Sequence, residues 1–258
     1  MSADAADGEV AGREPVFLFL HVMKTGGSSF LGHLADNFDL GQLEPDARLK
    51  VLGDPRASPH PYGSVQRLTS LTEDRRHEVR VYAGHYPYLV TELVRPDITM
   101  TVLRDPVERT ISFLRHCKRY DADKRDLSLE QIYDDEWMFP LLIHNYQSKL
   151  FCMTTADEPP DKAHLCPITV DEARLRVAER NLATVDVLGF HDGYGDFLAE
   201  LGHRFGWRFP NTYRRRVATE GWEPTAALRA RIAADNEADI AFYRAALALQ
   251  RADAPKEI

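Results

Sequence analysis

Residues 16–37 read VFLFLHVMKTGGSSFLGHLADN, and no other stretch narrows the fold so far. The run opens with apolar and aromatic residues interrupted first at His21, a pattern for a strand covered on both faces rather than one with a wet side. Lys24, Thr25, Gly26, Gly27, Ser28 and Ser29 then supply a cation, hydroxyls and two residues free to take positive φ, which lets main-chain N–H groups turn inward on a ligand. Phe30, Leu31, Leu34 and Phe38 recur at helical spacing, so the turn delivers a helix N-terminus. Strand, glycine turn and helix start together make an anion site, because partial positive charge and unpaired N–H groups converge there.

The rest of the chain alternates in the same way. Residues 78–83 and 98–103 (ITMTVL) carry strand signals, and residues 185–190 (VDVLGF) read as a late strand. Asp105 and Pro106 form a helix start, with a side chain able to cap and a proline whose fixed φ suits the first turn. Val107, Ile111 and Leu114 share one face of that helix, while Arg109, Ser112 and His116 lie roughly opposite, on a face read as free for a ligand. Ser128 with Gln131, and Thr169 with Glu172, match the capping-box pattern and start two more helices. Leu228, Ile232, Ile240, Tyr243 and Leu247 mark one long amphipathic C-terminal helix. The alternation predicts an α/β fold in three layers, a mostly parallel central sheet with helices on both faces. Such sheets bind ligands beyond the carboxyl ends of their strands, and Lys24, His85 and Arg104 each directly follow a predicted strand.

Composition limits what that site serves. With 258 residues the chain can bury one substantial core, and we expect a single domain over 15–258 behind an acidic, alanine-rich tail at 1–14. The formal net charge of −8 argues against a nucleic-acid polymer or an anionic membrane surface as the main partner. No run approaches the roughly 18 apolar residues of a membrane span. The polar start MSADAADGEVAGREP lacks the regions of a signal peptide, so a soluble cytoplasmic protein is the expectation. Cys117, Cys152 and Cys166 have no metal-site spacing and read as free thiols, although Cys152 could pair with Cys166 in an exported protein.

HVMKTGGSSF closely resembles the 5′-phosphosulfate loop of PAPS-dependent sulfotransferases, in the branch that contains the heparan sulfate 2-O- and 6-O-sulfotransferases and their bacterial relatives. Met23 departs from the Pro or Gln usual there. The NTPase pattern G-x-x-x-x-G-K-[ST] is absent, since Lys24 precedes the glycines. LRDPVERTISFLRH, residues 103–116, resembles the family's 3′-phosphate-binding segment, whose arginine and serine match Arg104 and Ser112. An arginine fork can hold two phosphate oxygens at once. Arg109 takes the family's second arginine position, where it can instead brace the segment. AGHYPYL, residues 83–89, resembles the Gly-His-aromatic-Pro segment of bacterial members, and His85 matches the histidine regarded as the base in the glycosaminoglycan branch. Imidazole suits that task because its unperturbed pKa is about 6.5. Tyr86 and Tyr88 flank it as candidate substrate contacts. HNYQSKLFC, residues 144–152, resembles a segment in which Asn and Gln precede a basic residue and Leu. Asn145 and Gln147 are therefore contacts to sugar or nucleotide hydroxyls, or else internal braces. PNTYRRR, residues 210–216, stands where relatives carry a loop over the nucleotide, with Asn211, Arg214 and Arg215 as candidates.

The resemblance implies in-line transfer of a sulfuryl group from PAPS to an acceptor hydroxyl, leaving PAP. Lys24 and His85 would be catalytic. Thr25, Gly26, Gly27, Ser28, Ser29, Arg104 and Ser112 would hold the donor with Lys24, joined by Arg214 and Arg215, and no metal is required. The acceptor implied is a carbohydrate, glycolipid or small hydroxylated metabolite, selected by loops at 53–64 and 154–166. Two rivals remain: a small-molecule kinase, which also uses a strand, anion loop and helix, and a non-catalytic module that binds PAP or a similar nucleotide.

Overall fold

The computed structural model describes residues 13–51, 63–210 and 222–253. Four parallel strands, β1 (Phe17–Leu20), β2 (Val81–Gly84), β3 (Ile98–Leu103) and β4 (Val187–Phe190), form one sheet in the order β2-β1-β3-β4. Leu20 pairs with Gly84 on one side and Thr101 on the other, and Leu103 pairs with Phe190. After β1 the chain moves outward to β2, then returns past β1 to lay β3 on its other side. The direction of winding therefore reverses between β1 and β3, and a crevice opens at their carboxyl ends.

Around the sheet run α1 (Gly27–Asn37), α2 (Pro45–Val51), α3 (Val65–Thr69), α4 (Glu73–Glu78), α5 (Val90–Val94), α6 (Pro106–Tyr120), α7 (Leu129–Tyr133), α8 (Tyr146–Cys152), α9 (Glu172–Leu182), α10 (Tyr194–Phe205), α11 (Ala226–Asp235) and α12 (Glu237–Asp253). Strand alternation sorts the side chains into two cores. Phe17, Phe19, Val81, Ala83, Met100 and Val102 meet Phe30 and Leu34 of α1, Ala47 of α2, and Phe197 and Leu201 of α10. Leu18, Leu20, Tyr82 and Leu103 meet the larger layer, which includes Ile111, Leu114, Phe151, Ala178, Ile232 and Phe242. A sheet covered on both faces accounts for the unbroken apolar run of β1.

Four expectations shift in detail. The second strand begins at Val81 because Glu78 closes α4, whose cap is Thr72. The α9 cap is Asp171 rather than Thr169, and its carboxylate accepts from the Arg174 N–H at 2.8 Å. The C-terminal helix is two helices, α11 and α12, broken at Asn236. That residue turns its amide nitrogen back onto the Ile232 carbonyl at 2.9 Å and offers its amide oxygen to the Asn145 N–H at 2.7 Å. Arg13 and Glu14, expected in the tail, are tied to Asp97 and Arg80. Cys117, Cys152 and Cys166 are free and buried. No helix among the described residues is long and apolar enough to cross a membrane.

Candidate active site

The loop after β1 curls through two left-handed residues, Lys24 at φ 69° and Gly26 at φ 108°. A left-handed side-chain-bearing residue costs about 1–2 kcal/mol, and three bonds hold this one. Thr25 Oγ1 donates to the Val22 carbonyl at 2.8 Å, Arg109 Nε to Met23 at 3.3 Å, and Arg104 Nη1 to Lys24 at 3.3 Å. The Thr25 hydroxyl is thus a brace, buried in the loop. α1 then starts at Gly27 with no side-chain cap and no acidic residue in its first turn, so its N-terminus keeps its attraction for an anion. Ser28 and Ser29 lie half-buried in that turn. Gly27 answers to a neighbour as well as to the turn, because a Cβ there would come within 2.0 Å of the His21 ring.

His85 follows β2 and is 6% exposed. Its Nδ1 lies 2.6 Å from the His21 carbonyl. A carbonyl only accepts, so Nδ1 carries the proton and Nε2 is the basic nitrogen of the ring. The His21 ring sits 4.3 Å away and the His164 ring 5.7 Å away. His164 is sealed from solvent, and burial, reinforced by His85, pushes its pKa down to about 2, so it stays neutral. Neither of its ring nitrogens makes a hydrogen bond of normal geometry among the described residues.

Both loops assigned to acceptor selection reach this histidine. Gly63, the first described residue after the 52–62 gap, packs so closely that a Cβ would meet the His85 main-chain nitrogen at 2.9 Å. His164 belongs to the second loop. The two are fastened together by Asp161, whose carboxylate accepts from Ser64 Oγ and from the Gln66 N–H, each at 2.7 Å.

Beyond β3, Asp105 caps α6 by accepting from the Val107 and Glu108 N–H groups, each at 3.0 Å. Arg104 just before it is half-buried, and burial lowers its pKa without discharging it. Its Nε is buried and has no hydrogen-bond partner among the described residues. Ser112 lies half-buried on α6 and His116 is exposed. Arg109 does not share that free face. It is 0% exposed, donates through Nη1 to Leu142 O at 2.6 Å, and lies 4.2 Å over the Tyr146 ring. Burial pushes it down to about 10, still a cation at neutral pH, and it braces the segment.

Gln147 and Asn145 are also internal. Gln147 is fully buried, accepting from the Arg104 N–H at 3.1 Å and donating to the Arg104 carbonyl at 2.8 Å. Asn145 accepts from the Asp239 N–H at 3.0 Å. Both ends of the Gln147 amide are engaged within the protein, whereas Asn145, tied to Asp239, also lines a cavity. The tyrosines beside His85 are corrected too. Tyr86 is 1% exposed within the core, and the Tyr88 hydroxyl is bonded to Thr184 at 2.5 Å, ahead of β4 and toward the amino edge of the sheet. Asn211, Arg214 and Arg215 lie outside the described residues.

Lys149, the basic residue of the 144–152 segment, is fully buried and donates to the Pro140 and Leu141 carbonyls. These carbonyls and that of Leu142 belong to one π-helical turn, Phe139–Ile143, for which Pro140 inside an apolar run is the available signal. Burial and the neighbouring Arg109 push the Lys149 pKa down to about 7. A cavity of about 530 Å³ opens elsewhere, between the start of α9 and the α11–α12 junction. It presents Asp171, Glu172, Asp235 and Glu237, charge that repels an anionic ligand.

Among the described residues, no group of three or more His, Cys, Asp or Glu is arranged to hold a metal ion. No protein-family model matches the chain, and no curated protein matches it either.

Proposed function

We propose that the protein is a sulfotransferase that moves a sulfuryl group from PAPS to an acceptor hydroxyl. One observation carries this reading: the segment that leaves β1 is tied to both neighbouring strand ends, by Arg104 after β3 through the Lys24 carbonyl and by His85 after β2 through the His21 carbonyl, which leaves Nε2 as the basic nitrogen of His85. A donor with two anionic ends suits this arrangement. The uncapped start of α1 fits the 5′ end, and Arg104, whose Nε has no hydrogen-bond partner among the described residues, fits a second oxyanion.

The chemistry follows from these residues. The acceptor oxygen bonds to sulfur while the bond from sulfur to the bridging phosphate oxygen breaks, and the electron pair stays with that phosphate, giving PAP. His85 Nε2 takes the hydroxyl proton as attack proceeds. Lys24 and the main-chain N–H groups of residues 25–28 neutralise the charge that grows on the departing oxygen, an electrostatic stabilisation in place before reaction. Arg104 and Ser112 hold the 3′-phosphate and so fix the donor's register. The loops that meet at His85 select the acceptor, a carbohydrate, glycolipid or small hydroxylated metabolite. A cytoplasmic location belongs to the same proposal, since three unpaired thiols suit a reducing compartment.

Calorimetric titration with PAP, 5′-AMP and ATP plus Mg²⁺ tests the reading. We expect PAP to bind at least about tenfold more tightly than 5′-AMP, about 1.4 kcal/mol. Preference for ATP with Mg²⁺ would favour a kinase. No nucleotide binding would end both enzyme readings.

A further inference from the structure

We propose that Asp239, on the C-terminal helix α12, is a positioning residue for Arg104 and acts on it through Gln147. This deepens the sulfotransferase reading and rests on it.

α8 begins after Asn145, which is left-handed at φ 45° and gives its own helix no side-chain cap. The cap comes from α12. Asp239, 1% exposed, accepts from the Gln147 N–H at 3.0 Å, the Ser148 N–H at 2.7 Å and Ser148 Oγ at 2.6 Å. The exchange is reciprocal: Asn145 Oδ1 accepts from the Asp239 N–H in the first turn of α12, and Asn236 accepts from the Asn145 N–H. Two helix starts separated by 91 to 94 residues thus cap each other. Three donors converge on the Asp239 carboxylate. An asparagine of the same shape would turn an NH₂ group toward one of them.

The first turn of α8, fixed in this way, presents Gln147 to the end of β3. Pairing of β3 with β1 has stopped at Thr101, and pairing with β4 stops at Leu103. Gln147 takes over for one more residue, meeting the Arg104 N–H and C=O as a neighbouring strand would. The arginine side chain then leaves a fixed backbone toward the Lys24 loop, with Nη1 on the Lys24 carbonyl and Nε turned to no protein group among the described residues. A 3′-phosphate gripped by Arg104 therefore depends on an aspartate that never touches it.

The test is calorimetry with PAP and with 5′-AMP on the full chain. It compares the wild type with Gln147→Met, Asp239→Asn, Arg104→Ala and the double variant Gln147→Met/Arg104→Ala. Methionine preserves the length and approximate volume of glutamine while removing both hydrogen bonds. We expect Gln147→Met and Asp239→Asn each to weaken PAP about tenfold and 5′-AMP less than about twofold, within the coupling range of directly bonded groups. In the Arg104→Ala background, Gln147→Met should weaken PAP no further. Equal weakening of both nucleotides, or a PAP loss undiminished in that background, would overturn the positioning role and leave the sulfotransferase reading standing. A wild-type protein without preference for PAP over 5′-AMP would overturn both. Should Asp239→Asn fail to fold, Asp239→Glu, which keeps the charge but displaces the carboxylate, takes its place, and a PAP affinity equal to the wild type's would overturn the role of Asp239.

Discussion

Replacing Gly27 by alanine probes the packing beneath the proposed base. The new Cβ would lie 2.0 Å from His21 Cδ2 and 2.2 Å from Nε2, far inside contact distance. The ring has no room to swing aside, since Phe19 stacks against it at 5.6 Å and His85 at 4.3 Å. Nor can α1 retreat easily, because its Phe30 is packed on Phe19 at 4.3 Å. Overpacking of a filled core costs about 1–3 kcal/mol, and a contact this short belongs near the top of that range. Alanine's better helix propensity returns at most about 1 kcal/mol. The net loss is about 2 kcal/mol, which for a chain of this length lowers Tm by about 4–8 °C. His21→Ala removes the obstruction, so adding Gly27→Ala in that background should cost less than about 0.5 kcal/mol. Thermal unfolding of the four proteins, followed by calorimetry, reads this cycle. A Gly27→Ala protein that melts like the wild type, or an equal loss in both backgrounds, would refute the claim that this glycine makes room for the histidine.

Lys24→Ala should lower the rate of PAP release from PAPS by about 10², the scale set by loss of one charge-stabilising donor; an unchanged rate would remove Lys24 from the chemistry. His85→Ala should abolish most turnover while calorimetry finds PAP affinity near the wild-type value, and a collapse of affinity would make His85 a nucleotide ligand instead. Lys149 predicts a pH dependence of stability. Its pKa is pushed from 10.5 down to about 7 in the folded protein, so between those values the unfolded chain holds a proton that the folded one lacks. Stability then rises with pH across that window. Tm should climb from pH 7 to 9 and climb less in Lys149→Met, whereas parallel profiles would mean that the lysine titrates normally.

The periodic parts of this fold were legible because their signals are local. β3 runs over Ile98–Leu103 as its β-branched sequence predicts, and Asp105 caps α6 as its place before Pro106 predicts. The same holds for the strand, glycine turn and helix that carry Lys24. Legibility fails where a polar group is settled by partners distant in sequence. Arg109 shares a helix face with Ser112 and His116 by spacing alone. It is buried because the Met23 and Leu142 carbonyls and the Tyr146 ring receive it, and nothing near residue 109 announces them. Gln147 is drawn inward by the exposed end of the β3 ladder, and the C-terminal helix breaks at Asn236 because Asn145 needs its amide oxygen. Tyr88 sits beside His85 in sequence, yet its hydroxyl is committed to Thr184. Sequence neighbours of a functional residue inherit its place on the chain but not its direction in space.

The reciprocal caps between α8 and α12 also set a timetable. A ribosome supplies about 5–20 residues per second, so Arg104 emerges on the order of ten seconds before the aspartate that steadies its backbone. During that interval β1 and β3 can pair and α6 can form, because all three segments have been synthesised. Gln147 then has its Arg104 partner but no anchored helix beneath it. The β1–β3 pairing is thus available early, and the mutual capping of α8 and α12 comes last.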